Sequence, residues 1–393
     1  MESWKRNLYS LWCAQFIAAL GLNLVAPFLP FYLRDLGVAG DKAIKIWSGV
    51  AYAAPFVVSA LMQPLWGIMG DRYGRKPMIV RAMIGLALAN ILMGFAQSAP
   101  QFVACRFLQG CLSGFIAPSL ALMASSSPSE KTGYALGTLQ AALVSSLILG
   151  PFLGGVLMHF AGIRPIFFIT GVLCAIGAAV VYLYVHEDFE PVIGPGLIKL
   201  KINFHRIAHS SELRSMFLLL ILIQFSVFFI APFISLYVEY LNIPEAYVGL
   251  VTGTVFGVAG LMSTISAPFW GKRSDKIGHK KVLRIAALGM VIFLLPQAFV
   301  TNAYQLMFLR AGLGLFVSGM LPVINSIVRH ATDEHERGGI YGMFQSGYLL
   351  GNLIGPLAGG LLSAFMGLRA IFLVATACVC LAPLLIKSVK TPH

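Results

Sequence analysis

"GIMGDRYGRK", residues 67–76, sets a knot of charge between two apolar stretches. "GKRSDKIGHK", residues 271–280, sets a second one 204 residues later. The chain around them is 58% hydrophobic and 11% charged. Soluble domains carry about a quarter charged residues, so this composition points to a membrane protein. Outward from the knots, apolar runs long enough to cross a bilayer recur along the whole length. Twelve are read, at about 7–33, 46–68, 78–97, 100–124, 133–158, 163–186, 214–238, 246–269, 281–300, 303–328, 338–363 and 366–387. In lipid a backbone must satisfy its own hydrogen bonds, so the expected class is an all-α polytopic membrane protein with twelve transmembrane helices.

The net charge of +13 does not indicate nucleic acid, because its distribution is sided. With the N-terminus placed inside, the outer loops hold only Arg34, Lys42, Lys45, Arg164 and Arg369, while the inner loops and tails hold most of the other Lys and Arg. That bias orients membrane proteins and puts both termini in the cytoplasm. Residues 7–33 are too long for a signal-peptide core and read as the first span. Cys13, Cys105, Cys111, Cys174, Cys378 and Cys380 all lie in apolar runs and read as small packed hydrophobes. No His cluster accompanies them, so neither a metal site nor a cofactor is expected.

The two knots belong to a longer duplication. "APFLPFYL" (26–33) answers "APFISLYV" (231–238), and "QPLWG" ending at Gly67 answers "APFWG" ending at Gly271. Arg106 answers Arg310, and Gln140 answers Gln345. "GPFLGG" (150–155) answers "GPLAGG" (355–360), and "GIRPIF" (162–167) answers "GLRAIF" (367–372), always at an offset of 204 or 205. The chain is therefore expected to form two pseudo-symmetric six-helix bundles, 1–186 and 214–393. A cytoplasmic linker at 187–213 joins them, and its basic half reads as a short amphipathic surface helix. Parallel six-helix halves of this kind occur in secondary transporters.

Three motifs carry a family resemblance. "GIMGDRYGRK" resembles the loop between helices 2 and 3 of the major facilitator superfamily. "RFLQGCLSG" resembles the helix-4 motif of its drug/proton antiporters, and "GPFLGG" the helix-5 antiporter motif. Each falls on the expected span, and the resemblance covers essentially the whole chain. It is nearest to the twelve-helix drug/proton antiporter branch, among the multidrug and tetracycline exporters. The resemblance implies the major facilitator fold and proton-coupled efflux by alternating access.

Residue by residue, the first knot reads as a tight cytoplasmic turn. Gly67 and Gly70 are expected to let helix backbones approach closely, and Gly74 to take a positive φ. Asp71 sits among Arg72, Arg75 and Lys76. In the family pattern it lies near a helix of the other half, as part of a gate, with Arg75 free to pair with Glu130. Asp275 holds the matching place in the second knot, where Ser274 replaces Gly70 and His279 replaces Arg75. An arginine inside a span costs at least ~2.5 kcal/mol, so Arg106 is expected to face the protein interior or a wet cavity. Gln109, three residues on, shares its helix face. By resemblance, Arg106 and Asp71 take part in proton coupling. Arg310 lacks such a partner, having Leu313 at the matching offset, and reads as structural. Gly150, Pro151, Gly154 and Gly155 read as a hinge or seal in helix 5, proline removing a backbone bond and glycine admitting a neighbour.

The resemblance places a substrate cavity between the halves, with Asn23, Gln109, Gln140, Gln224, Phe228, Tyr237, Asn325, Gln345 and Asn352 among its candidates. An apolar pocket with a few amides suits amphiphilic small molecules. None of the fifteen acids lies in the middle of a span. An acid-free cavity offers strong cations no partner and suits neutral, zwitterionic or anionic solutes. The expected partners are thus a small amphiphilic substrate, protons and the lipid bilayer of a bacterial inner membrane, with the chain a monomer. The competing expectation is an exporter or facilitator of one physiological solute, such as a siderophore, sugar or lipid-like metabolite. A receptor or membrane-embedded enzyme is disfavoured, since no span carries a catalytic constellation and no GxxxxGK[ST] motif is present.

Overall fold

The structure is a computed structural model that describes residues 2–128, 130–189, 205–332 and 337–387, without the side chains of Pro64, Asp71, Arg337 and Gly338. The described regular structure is all helical. Twelve helices are long and apolar enough to cross a membrane. They are α1 (Ser3–Asp35), α2 (Asp41–Tyr73), α3 (Arg75–Phe95), α4 (Ala99–Ser126), α5 (Thr132–Ala161), α6 (Arg164–Tyr184), α7 (Ser211–Tyr240), α8 (Glu245–Ile277), α9 (His279–Phe299), α10 (Ala303–His330), α11 (Arg337–Met366) and α12 (Leu368–Ile386). Of the linker's basic half, expected as a surface helix, residues 199–204 lie outside the described residues and 205–209 are helical.

Two compact units emerge, Met1–Ala39 with Ala54–Gly194, and Gly40–Ala53 with Pro195–His393. Helix α2 is shared between them. Its first turns lie against α11 because glycine lets the backbones touch. A Cβ at Gly49 would stand 2.4 Å from Pro356 O, and one at Gly360 would stand 2.9 Å from Lys45 O.

The duplication seen in the sequence is repeated atom by atom inside each unit. Helices α1 and α7 both tighten into a 3₁₀ turn at Ala-Pro-Phe, residues 26–28 and 231–233. Tyr32 OH donates to Met93 O at 2.6 Å, and Tyr237 OH donates to Gln297 O at 2.6 Å. Helices α4 and α10 are both interrupted, between Leu112 and Ile116 and between Val317 and Met320. Carbonyls freed by a break must find donors in a bilayer, and the neighbouring helix supplies them. Trp66 Nε1 donates to Cys111 O at 2.8 Å, and Ser59 Oγ to Gly110 O at 3.0 Å. The second copy uses Trp270 Nε1 to Leu315 O at 2.6 Å, and Ser263 Oγ to Gly314 O at 2.9 Å.

Spans 4 and 10 are each interrupted, because Gly114 (φ +112°) in the first break and the Ser318–Gly319 turn in the second end one segment before the next begins. Two expectations need correction. The first knot, expected as a tight turn, is mostly helix. Helix α2 runs straight through Gly67–Tyr73, and the turn to α3 is the single residue Gly74, at φ +101°. The charges simply extend the helix past the apolar span. Finally, Gly67 and Gly70 are not close-approach glycines among the described residues. A Cβ at Gly67 would meet nothing within 4 Å, and one at Gly70 would make ordinary contact with Met78 Cγ at 3.7 Å.

Candidate functional site

The first knot is tied down within its own unit by a residue that sequence reasoning missed. Glu187, just beyond α6, accepts from the backbone N–H of Arg75 at 2.8 Å and of Lys76 at 2.7 Å. These are the unpaired donors that open α3, so the carboxylate caps the helix and meets the positive end of its dipole. Gly74 is confined by the same contact, since a Cβ there would lie 3.1 Å from Glu187 Oε2 and 3.5 Å from Phe189. The strap at 185–189 is anchored a second time on α1. Asn7 Nδ2 donates to His186 O at 2.7 Å, and His186 N donates to Asn7 Oδ1 at 2.9 Å. No local signal in "HEDF" announces a cap for a helix more than a hundred residues away.

Arg75 turns along α4. Its Nη1 donates to Ala121 O at 2.9 Å and to Ser125 Oγ at 2.9 Å. Glu130 is exposed, and no Arg75–Glu130 pair forms among the described residues; the α4 acceptors lie within reach and need no second charge. Arg72 is exposed, and Lys76 Nζ sits 5.5 Å from the Tyr182 ring. In the second knot Gly278 takes φ +91° with no Cβ contact within 4 Å, Asp275 is exposed, and Lys280 Nζ reaches Lys387 O at 2.9 Å. Glu187 thus serves as a capping carboxylate at the first knot. Glu187→Ala is therefore expected to destabilise the chain by about 1–2 kcal/mol, the usual worth of a cap. Glu187→Gln, which keeps one acceptor oxygen, should fall between. Thermal unfolding of the three proteins in detergent checks this; equal midpoints would remove the strap as a structural element.

Arg106 lies in α4 at 6% exposure, and its Nη1 donates to Gln109 Oε1 at 2.8 Å. Ionisable side chains inside a bilayer face the protein interior and find polar partners there, as Arg106 does. Above the same break, Arg81 stacks on Trp66 with its guanidinium carbon 3.5 Å from the ring centre.

The helix-5 motif forms a seam with α1. A Cβ at Gly150 would lie 2.5 Å from Asn23 Cβ, and one at Gly154 would lie 2.1 Å from Leu24 O. Helix α5 runs through the buried Pro151 without a break, and Gly155 is buried beside it. The second unit repeats the seam, with Gly351 against Gln224 and Gly359 against Phe229.

The cavity candidates separate. Asn23 Nδ2 donates to Ala19 O at 2.8 Å, alongside a long 3.5 Å contact with Ser146 Oγ. Gln109, Gln224 and Asn352 are buried, whereas Gln140, Asn325 and Gln345 are exposed. Phe228 is half-buried, its ring 6.0 Å from that of Tyr52. Tyr237 is no cavity residue: it is fully buried, its hydroxyl spent on Gln297 O and its ring packed on Phe372 at 4.7 Å. A tyrosine whose O–H already has a backbone partner is a core residue.

Comparison with known proteins decides the family. A model of the Major Facilitator Superfamily matches residues 11–206 and 216–392. The chain belongs to the major facilitator superfamily. It is a multi-pass membrane transporter rather than an enzyme. The multidrug resistance protein MdtG of Salmonella dublin is 37% identical over 377 residues, 96% of this chain and 93% of the relative. MdtG of Escherichia fergusonii is 38% identical over 379 residues, again 96% and 93%. Among solved structures, a bacterial homologue of the human lysosomal transporter Spinster superposes with a TM-score of 0.80, covering 100% of both chains at 12% identity. That likeness supports the fold alone.

Proposed function

We propose that this major facilitator protein exports small amphiphilic compounds, drugs among them, by proton-coupled alternating access. The observation that carries the reading is its 37–38% identity to multidrug resistance proteins across 96% of the chain. The cytoplasmic placement of both termini in a bacterial inner membrane rests on the sided distribution of Lys and Arg. The chain acts as a monomer in the bilayer. Asp71 and the knot around it gate transport, and Asp71 with Arg106 serves proton coupling. The Glu187 cap supports this reading because it fixes the start of α3 one turn from Asp71. Binding of proton and substrate must influence each other for coupling to exist. The alternative, a facilitator of one physiological solute, draws its support from the acids, which lie at helix ends, in loops and in tails.

The test is accumulation of lipophilic dyes in cells that lack their own exporters. Expression of this chain is expected to lower accumulation and a protonophore to restore it. Asp71→Asn should nearly abolish export at unchanged expression. Asp275→Asn should be milder, because its knot has Ser274 in place of the glycine and His279 in place of the arginine of the first. Wild-type export by Asp71→Asn would remove that residue from the gate. Protonophore-insensitive export would favour the facilitator.

A further inference from the structure

Four cations set the second knot apart from the first. Lys272, Arg273, Lys281 and Arg284 stand where the repeat has Ile68, Met69, Pro77 and Val80. Asp275 is the one acid between Lys272 and Arg284. Lys272, Arg273, Lys276, Lys281 and Arg284 are exposed, and none of them makes an ion pair among the described residues. The first knot engages its cations: Arg75 donates to Ala121 O and Ser125 Oγ, Lys76 lies over Tyr182 and Arg81 over Trp66.

The placement of the added charges identifies a partner. A helix presents the same face every three to four residues. On α9, Lys281, Arg284, Ile285, Leu288 and Ile292 share one face and all are exposed, the apolar three at 43%, 62% and 54%. On α8, Ile265, Phe269, Lys272, Arg273 and Lys276 do the same, with Ile265 at 61% and Phe269 at 58%. Each stripe is apolar toward the middle of its span and cationic at the end beside Gly278. At about 1.5 Å per residue, Arg284 to Ile292 covers about 12 Å, close to the depth of one hydrocarbon leaflet. Apolar side chains exposed over that depth face acyl chains, and the cations beyond them stand at the level of the headgroups. Orientation of the chain asks only for cations on one side of the membrane, not for cations on the faces that lipid covers. A nucleic acid or an acidic protein would meet the charges and leave the apolar continuation unused. A phospholipid with an anionic headgroup meets both.

We propose that the second knot is a docking surface for anionic phospholipid, with Lys272, Arg273, Lys276, Lys281 and Arg284 on the headgroup phosphates and the apolar faces at 265–269 and 285–292 on the acyl chains. Clusters of about four to eight Lys and Arg at the end of a membrane helix draw anionic lipid in this way. The surface concerns the bilayer and not the cargo, so its failure leaves the export reading standing.

The experiment is thermal unfolding of the full chain in mixed micelles of a neutral detergent with phosphatidylglycerol or, at equal mole fraction, phosphatidylcholine of the same acyl chains. A ligand that binds only the folded state raises the midpoint with its concentration. Phosphatidylglycerol is expected to raise it further than phosphatidylcholine, and the gap to close at about 1 M salt, where the Debye length falls to about 3 Å. Replacing the four added cations together, Lys272→Gln, Arg273→Gln, Lys281→Gln and Arg284→Gln, should abolish the gap. The pair Lys281→Gln and Arg284→Gln should reduce it, and decides the matter if the fourfold variant fails to fold. Glycerol 3-phosphate carries the phosphate without the acyl chains and should leave the midpoint unchanged. Equal midpoints in the two lipids, a gap that persists at high salt, a wild-type gap in either variant, or a glycerol 3-phosphate response equal to that of phosphatidylglycerol would overturn the surface.

Discussion

Arg106→Ala is expected to cut gradient-driven flux by about tenfold or more while substrate binding persists in part. The side chain is 6% exposed, and its Nη1 is the donor to Gln109 Oε1. Removing it takes away a buried charge and strips that donor from a buried amide, which costs about 1–3 kcal/mol. The larger loss falls on coupling. Coupling energies between sites are typically 1–3 kcal/mol, so flux driven by a gradient should drop by about tenfold or more. Arg106→Lys keeps the charge without the planar fork and should recover only part of the loss. Binding affinity and driven flux are measured on the same preparation. If both fell in proportion, Arg106 would be a substrate ligand or a determinant of the fold.

Gly110→Ala should leave little folded protein. A Cβ there would stand 2.2 Å from Pro55 O and 2.7 Å from Pro55 Cα, both on the backbone of α2. No rotamer relieves such a contact, so the helices must part by roughly an ångström, and overpacking of that kind costs about 1–3 kcal/mol or more. The Ser59 hydrogen bond to Gly110 O would stretch with it. Gly314→Ala should behave alike, since its Cβ would stand 2.2 Å from Ala259 O. Alanine at Gly67, where a Cβ meets nothing within 4 Å, is the control. The readout is the yield of monodisperse protein after purification in detergent. Full yields of Gly110→Ala and Gly314→Ala would contradict the packing described.

Much of this architecture was legible because membranes impose simple rules. Apolar run length marked the twelve spans, and the in-register repeat marked the duplication. Gly74 was legible as a positive-φ residue because glycine closes the charged helix. The helix breaks were harder to see. "LSG" in α4 signals one only in retrospect, since small residues in a span read equally well as packing sites. Glu187 was invisible for a different reason: a cap supplied from another part of the chain has no local spacing to betray it. Tyr237 was misread because a polar tip on an apolar helix does not say whether its partner is solute or backbone. Gly67 and Gly70 were misread because close approach depends on a neighbour that the sequence does not name. Nothing in the repeat marks Gly40–Ala53 as packing with the second unit. That contact rests on Gly49 and Gly360, far apart in the chain. At Arg310 the sequence signal is Leu313, which offers no acceptor where Gln109 serves Arg106, and Nε and Nη2 have no hydrogen-bond partner among the described residues.

The central claim is proton-coupled export, and one measurement meets it directly. The purified chain is placed in liposomes loaded with a lipophilic dye, and dye and proton fluxes are followed together under an imposed pH difference. The account predicts dye movement that is driven by the gradient, counter-movement of protons on adding dye, and loss of both in Asp71→Asn. Robust dye flux that ignores the pH difference on either side, with no proton movement, would contradict it and make the chain a facilitator.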